Sequence, residues 1–204
     1  LALNLAGVDC LKNSFAKATS AIVLLYIPNK KGLLELPLIF NEVIKKNPNA
    51  KLVLVGKDVP DIKSGNSSTW NMMQALFTNE AFQKVTYLGG MPYTEIQKQI
   101  DLATVCVFPS FAEALPVSWL EAMAVQKPVV ASNIGWATEI ITPNIDGFVA
   151  YPNEYEVFAQ QIIKLLQNKT VAQDMAKNAR KKVIQNFDLQ VIAKKNAEIY
   201  STLL

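Results

Sequence analysis

Six short apolar runs, at 21–27, 51–55, 84–88, 103–108, 128–131 and 146–150, alternate along the chain with stretches patterned as helix. The runs are continuously apolar in character, with Lys51, Lys84, Thr86 and Asp146 among the exceptions. That is the mark of strands buried on both faces, and therefore of parallel strands. The intervening helical patterns fall at 33–47, 67–82, 93–102, 116–126 and 135–141. Strict alternation of strand and helix predicts an α/β fold with a doubly wound parallel sheet of about six strands. After Ala150 the pattern changes to three helices without strands, over 154–167, 170–186 and 188–203. The first of these places Val157, Phe158, Ile162, Leu165 and Leu166 at helical spacing.

Composition narrows the function classes. The 204 residues suffice for one domain with a sizeable core, and half of them are hydrophobic against 18% charged. The net charge of +3 gives no case for nucleic acid. No apolar run reaches the roughly 18 residues of a membrane span, and no signal peptide is expected ahead of the first element. The chain holds no histidine, which excludes a Ser-His triad and any histidine-based metal site or general base within it. Of its two cysteines, Cys106 lies in an apolar strand and reads as a buried thiol. The basic stretch Lys177, Arg180, Lys181 and Lys182, with Lys194 and Lys195, reads as a solvated helix face. Leu-Val-Leu-Val-Gly at 52–56 suggests a dinucleotide fold, but no Gly-x-Gly-x-x-Gly loop follows any strand, which argues against nicotinamide or flavin. The polar loop from Lys57 to Thr69, rich in Gly, Ser, Asn and Asp, is expected to be mobile.

The segment with most chemistry runs from Pro109 to Met123, Pro-Ser-Phe-Ala-Glu-Ala-Leu-Pro-Val-Ser-Trp-Leu-Glu-Ala-Met. It joins the strand at 103–108 to a helix, and in open α/β sheets ligands bind outside the carboxyl ends of the strands, where this loop lies. Pro116 suits the first helical position, which makes Leu115 the N-cap, a residue that cannot accept a hydrogen bond. The amides of Val117 and Ser118 then lack an obvious cap. Such an end is either a loosely capped surface helix or an anion site. Glu121 interrupts an otherwise apolar helix, and is either its solvated face or an acceptor for hydroxyls such as a ribose diol. Glu113, in the loop ahead of the helix, can face the same cleft.

This segment resembles the Glu-x(7)-Glu signature of glycosyltransferase family 4, a retaining GT-B group, through Glu113 and Glu121. Lys30-Lys31-Gly32-Leu33 is similar to that family's Lys-Gly before the first helix, Ala50 to Gly56 to its second strand, and Val85-Thr86-Tyr87-Leu88-Gly89 to the strand before the base-binding loop. Ala131 to Gly135, Glu139-Ile140-Ile141 and Asp146 to Val149 are similar to the segments that follow. The resemblance implies a Rossmann-like doubly wound sheet forming one half of a GT-B fold, with C-terminal helices. It implies that residues 1–204 are the nucleotide-sugar-binding domain, with 1–20 the interdomain linker region and 188–204 the helix that crosses back to an N-terminal acceptor domain. It gives catalytic roles to Glu113, near the donor sugar, and Lys31, on the departing diphosphate. Substrate-binding roles fall on Glu121 at the ribose, on Val117 and Ser118 at the diphosphate, and on Ala114, Leu115 and Gly89 around them. No metal and no cofactor are implied, only a nucleotide-diphosphate sugar as donor; the sequence contains no Asp-x-Asp.

The match departs from the family pattern in three places. The family's arginine five or six residues before the Lys falls at Tyr26 or Leu25, and the one arginine of this chain is Arg180. The Gly after the first Glu is Ala114, and the Gly-Gly after the fifth strand is Gly135-Trp136. Two further readings stand beside the donor half of a transferase: a degenerate GT-B module that binds nucleotide or a partner without catalysis, and a GT-B nucleotide-sugar epimerase. The leucine at position 1 makes a fragment the expectation, inactive alone, with a cytoplasmic location at or near the inner face of a membrane and no nucleic-acid partner.

Overall fold

The structure is a computed structural model, and it describes residues 21–25 as backbone together with residues 32–135 and 137–202. The described residues form β1 (Ala21–Leu25), α1 (Glu35–Lys46), β2 (Lys51–Val55), α2 (Thr69–Gln74), α3 (Asn79–Phe82), β3 (Val85–Tyr87), α4 (Tyr93–Leu102) and β4 (Val105–Phe108). They continue as α5 (Val117–Ala124), β5 (Val129–Ser132), α6 (Ala137–Ile140), β6 (Phe148–Ala150), α7 (Tyr155–Gln167), α8 (Lys169–Asn186) and α9 (Leu189–Ser201). The six strands make one sheet in the order β3-β2-β1-β4-β5-β6, and every neighbouring pair is parallel. This is the doubly wound arrangement expected from the alternation. Its order reverses between β1 and β4, where a ligand crevice opens beyond the carboxyl ends.

Burial follows the apolar runs. All four residues of β4 and all four of β5 are buried, so helices cover both faces of the sheet centre. Helix α1 packs on α7, and α5 packs on α8. Phe40, Trp119, Phe148 and Phe158 are among the largest side chains fully enclosed.

Some segments differ from expectation for local reasons. The helix predicted over 67–82 is two short helices, α2 and α3. Thr78 stops its continuation by adopting extended backbone and capping Ala81 N–H. Asn41 of α1 clasps the break, donating to the Leu76 carbonyl at 2.9 Å and accepting from Thr78 N–H at 2.9 Å. The strand predicted from 146 begins at Phe148, because Asp146 is drawn into a turn in which Thr142 N–H donates to its Oδ1 at 2.6 Å. The polar loop 57–69 carries its own hydrogen bonds, with Ser64 N–H to Asp61 Oδ2 at 2.7 Å and Ser68 Oγ to Asp58 Oδ2 at 2.6 Å.

The basic stretch on α8 is only partly a solvated face. Lys177 is exposed, but Arg180 donates to the Ala124 carbonyl at the end of α5. Lys182 donates to Thr142 Oγ1 at 2.8 Å and lies 3.3 Å from the buried Asp146 carboxylate. Lys127 is also buried, its ammonium donating to the Asp101 carbonyl at the end of α4. Unpaired, these buried charges would carry a large desolvation cost; paired, they fasten helix ends to the sheet. Cys106 is buried as read, and Cys10 lies outside the described residues.

Candidate functional site

The crevice is built from loops that leave the carboxyl ends of the strands. Gly32, in the turn between β1 and α1, has φ +60, and a Cβ on it would come within 1.6 Å of the Pro109 carbonyl oxygen. Only glycine lets this turn lie against the loop after β4. Tyr26, Lys30 and Lys31 lie outside the described residues, as do Trp136 and the expected linker 1–20.

Beyond β4, Pro109 to Pro116 forms one wall of an open cleft of about 250 Å³. Phe111, Ala112, Glu113, Pro116 and Trp119 line it on this side, and Ile134, Gly135 and Ala137 line it from the β5–α6 loop. Glu113 is half-buried, and Ser110 Oγ donates to its Oε1 at 2.9 Å, which orients the carboxylate. Ala114 is exposed at the turn, and Leu115 is half-buried behind it.

The start of α5 differs by one residue from the sequence reading. The N-cap is Pro116, not Leu115, and the helix begins at Val117. Pro116, at φ −78 and ψ 80, closes an inverse γ-turn in which Val117 N–H donates to the Leu115 carbonyl at 2.9 Å. The Val117 amide is therefore engaged within the turn. No side chain caps the helix, as expected, and the Ser118 amide makes no hydrogen bond among the described residues. Next to it, the indole Nε1 of Trp119 is buried without a hydrogen-bond partner among the described residues, beside the cleft.

Glu121 sits in the second turn of α5, half-exposed. Its Oε1 accepts a 2.7 Å hydrogen bond from the hydroxyl of Tyr93, the first residue of α4. Burial, and after it the adjoining Glu121 carboxylate, pushes the Tyr93 hydroxyl up to about 12, so it stays a donor near neutral pH. Sequence reasoning missed Tyr93, although an aromatic opening a helix directly after Gly89-Gly90-Met91-Pro92 stands where a loop meets the crevice. Gly89, at φ +69, accepts from Gly56 N–H at 2.9 Å and thereby ties the loop after β3 to the loop after β2. Among the described residues, no three or more Cys, Asp or Glu side chains gather as a metal-binding group, and no helix is long and apolar enough to cross a membrane.

The arrangement offers an oriented carboxylate in a cleft, a free amide at a helix start and a second carboxylate one helix turn further on. Comparison with known sequences decides the family. The sequence model described as glycosyl transferases group 1 matches residues 12–182. The chain belongs to the glycosyl transferases group 1 family. It is 26% identical over 197 residues to glycogen synthase of Mycobacterium tuberculosis, which covers 95% of this chain and 46% of that protein. Sucrose-phosphate synthase from Thermosynechococcus elongatus superposes with a TM-score of 0.80 at 25% identity, over 99% of this chain and 51% of the other. Anabaena HepE in complex with UDP and glucose shares the fold, with a TM-score of 0.77 at 20% identity, over 98% of this chain and 55% of the other. The sheet is thus a Rossmann-like half of the GT-B type, and the chain spans about half the length of the curated relatives it matches.

Proposed function

We propose that this chain is the donor-binding, C-terminal half of a retaining glycosyltransferase of family 4. In that reading the full-length enzyme moves a sugar from a nucleotide-diphosphate sugar to an acceptor held by an N-terminal domain. One observation carries it: Glu113 and Glu121 flank the start of α5 at the carboxyl end of β4, beside the point where the strand order reverses. The UDP and glucose found with HepE support a nucleotide sugar as the ligand class.

The chemistry suits the geometry. When the bond between sugar and diphosphate breaks, negative charge grows on the departing diphosphate, and fixed donors must meet it. The Ser118 amide and the positive end of the α5 dipole supply part of this, and Lys31 supplies a cation. Val117 contributes through the same helix end, and its amide must leave the Leu115 carbonyl to bind directly. Glu113, held by Ser110, stands by the sugar, framed by Ala114 and Leu115. Glu121 accepts from the ribose, and Gly89 borders the base. No metal enters this scheme. A cytoplasmic location near a membrane follows from the same reading, with any membrane contact made outside this chain.

A second reading, a degenerate module without catalysis, is favoured by one observation. Arg180, the one arginine of the chain, serves the Ala124 carbonyl at the far end of α5 and does not reach the helix start. Calorimetric titration with nucleoside diphosphates and their sugars separates the two. The donor-half reading expects binding with a base preference. It also expects Lys31→Ala to weaken diphosphates by about 1.5–3 kcal/mol, the scale of a charged hydrogen bond, while the bare nucleoside is unchanged. Absence of binding across the panel would leave the degenerate module.

A further inference from the structure

We propose that Tyr93 is a specificity-determining residue of the nucleotide site, where its hydroxyl fixes the Glu121 carboxylate for recognition of a ribose diol. This rests on the functional reading above and names a residue that reading does not contain. The hydroxyl donates to Glu121 Oε1 at 2.7 Å, between two helices and across 28 residues of chain. Tyr93 remains 52% exposed while making this bond, so the residue stays accessible from solvent, and the pair lies outside the residues that line the cleft itself.

The surroundings favour a preset contact over a chance surface bond. Tyr93 follows a loop that is itself fastened: Leu88 N–H donates to the Leu54 carbonyl at 2.9 Å, and Gly56 N–H donates to Gly89 O at 2.9 Å. Gly90 packs on Lys57, where an added Cβ would lie 3.4 Å from the Lys57 Cβ. Pro92 then sets the entry to α4 with a restricted φ of −59. The ring is thus delivered from a constrained backbone, and its hydroxyl is one of the contacts that hold the Glu121 carboxylate. A carboxylate offers about four acceptor positions, and the bond to Tyr93 takes one of them. The tyrosine oxygen, having given its own proton to Glu121 and with Gln97 hydrogen-bonded to it, has one further lone pair to accept from the 2′-hydroxyl. Burial and the Glu121 charge keep that proton in place at neutral pH. A ligand without the 2′-hydroxyl keeps the 3′-hydroxyl for Glu121 but loses the contact to the tyrosine oxygen, so the pair discriminates ribose from deoxyribose.

The test is calorimetric titration of the whole chain, parent and Tyr93→Phe, with UDP, ADP and their 2′-deoxy counterparts. The substitution removes one oxygen from a half-exposed ring, and coincident thermal melts establish that the fold is kept. The expected result is about a three- to tenfold loss of affinity for the ribonucleotide that the parent prefers, the scale of one hydrogen bond. The 2′-deoxy ligand should change little, so the ratio between the two contracts. An unchanged ratio overturns the proposal, whether both ligands weaken together or neither does, and leaves the nucleotide reading standing. A parent chain that binds none of the four nucleotides overturns the nucleotide reading and this proposal with it.

Discussion

Two glycines show how a single residue type can carry different weight. Gly32 and Gly89 both hold positive φ, yet a Cβ on Gly32 meets the Pro109 carbonyl oxygen at 1.6 Å, while one on Gly89 meets nothing within 4 Å. Gly89→Ala should therefore cost about 1–2 kcal/mol, the backbone strain alone. Gly32→Ala should cost at least about 3 kcal/mol, because overpacking adds to the strain and the β1–α1 turn must pull away from the loop after β4. Urea denaturation of both variants checks this, and equal losses would mean that the close approach of the two loops matters little. Cys106 gives a prediction in pH. Burial in β4 pushes its thiol from 9.0 up to about 12, with Lys127 opposing the shift. The unfolded chain then loses this proton at a lower pH than the folded one, so the folded state binds more protons in that window. The contribution is complete below about pH 9 and is lost as pH rises toward 12. Cys106→Ala, which removes the titrating group, should lose less stability than the parent between pH 7.5 and pH 10.5 in denaturation curves. Parallel losses would show that the thiol does not set the alkaline limit.

At the scale of elements, the sequence was readable where one periodicity ruled. The mainly apolar runs at β2, β4 and β5 marked strands to within two residues, and 93–102 marked α4 without error, because helix and strand periods do not compete there. The break between α2 and α3 was hidden, because Thr78 caps a helix only with Asn41 of a distant helix securing the gap. The α5 start was off by one, because the γ-turn at Pro116 depends on the backbone and leaves no mark in residue type. Glu113 and Glu121 were visible as residues, but Tyr93 on Glu121 is a contact between elements that spacing does not encode. The same distinction governs Arg180 and α9. Arg180 looked like part of a wet face but anchors α8 to the end of α5. Arg180→Met should destabilise by about 1.5–3 kcal/mol through the lost charged hydrogen bond and the unpaired carbonyl. Helix α9 has a cap, in which Gln190 N–H donates to Asp188 at 2.9 Å, but none of its residues is buried. Removal of residues 188–204 should therefore shift the thermal midpoint less than Arg180→Met does. A larger shift on truncation would reveal packing on α9 beyond the described residues.

At the scale of the whole molecule, the sheet order reverses between β1 and β4, and an open cleft lies there. The segments after β4 and β5 supply the residues that line it, and Gly32 packs against the Pro109 carbonyl beside them. The curated relative and the superposed proteins extend to about twice the length of the region they share with this chain. In the proposed reading, an acceptor held by another domain approaches the sugar from the open side of the cleft, and deprotonation of that acceptor needs a base. The chain has no histidine for the task. Glu113 accepts from Ser110, and in the proposed reading it accompanies charge on the sugar instead of serving as that base. The chain alone is thus expected to bind a nucleotide sugar without transferring it. Incubation with radiolabelled UDP- and ADP-sugars, with and without glucose, maltose or glycerol as acceptors, should release no labelled product above the uncatalysed rate. Nucleotide should be retained on the protein in the same samples by equilibrium dialysis. Transfer to any of these acceptors would mean that this half carries its own acceptor site and base, and the division of labour between two domains would be wrong. Slow hydrolysis of the donor without transfer would instead place bond breaking within this domain, with water taking the place of the acceptor at the open side of the cleft.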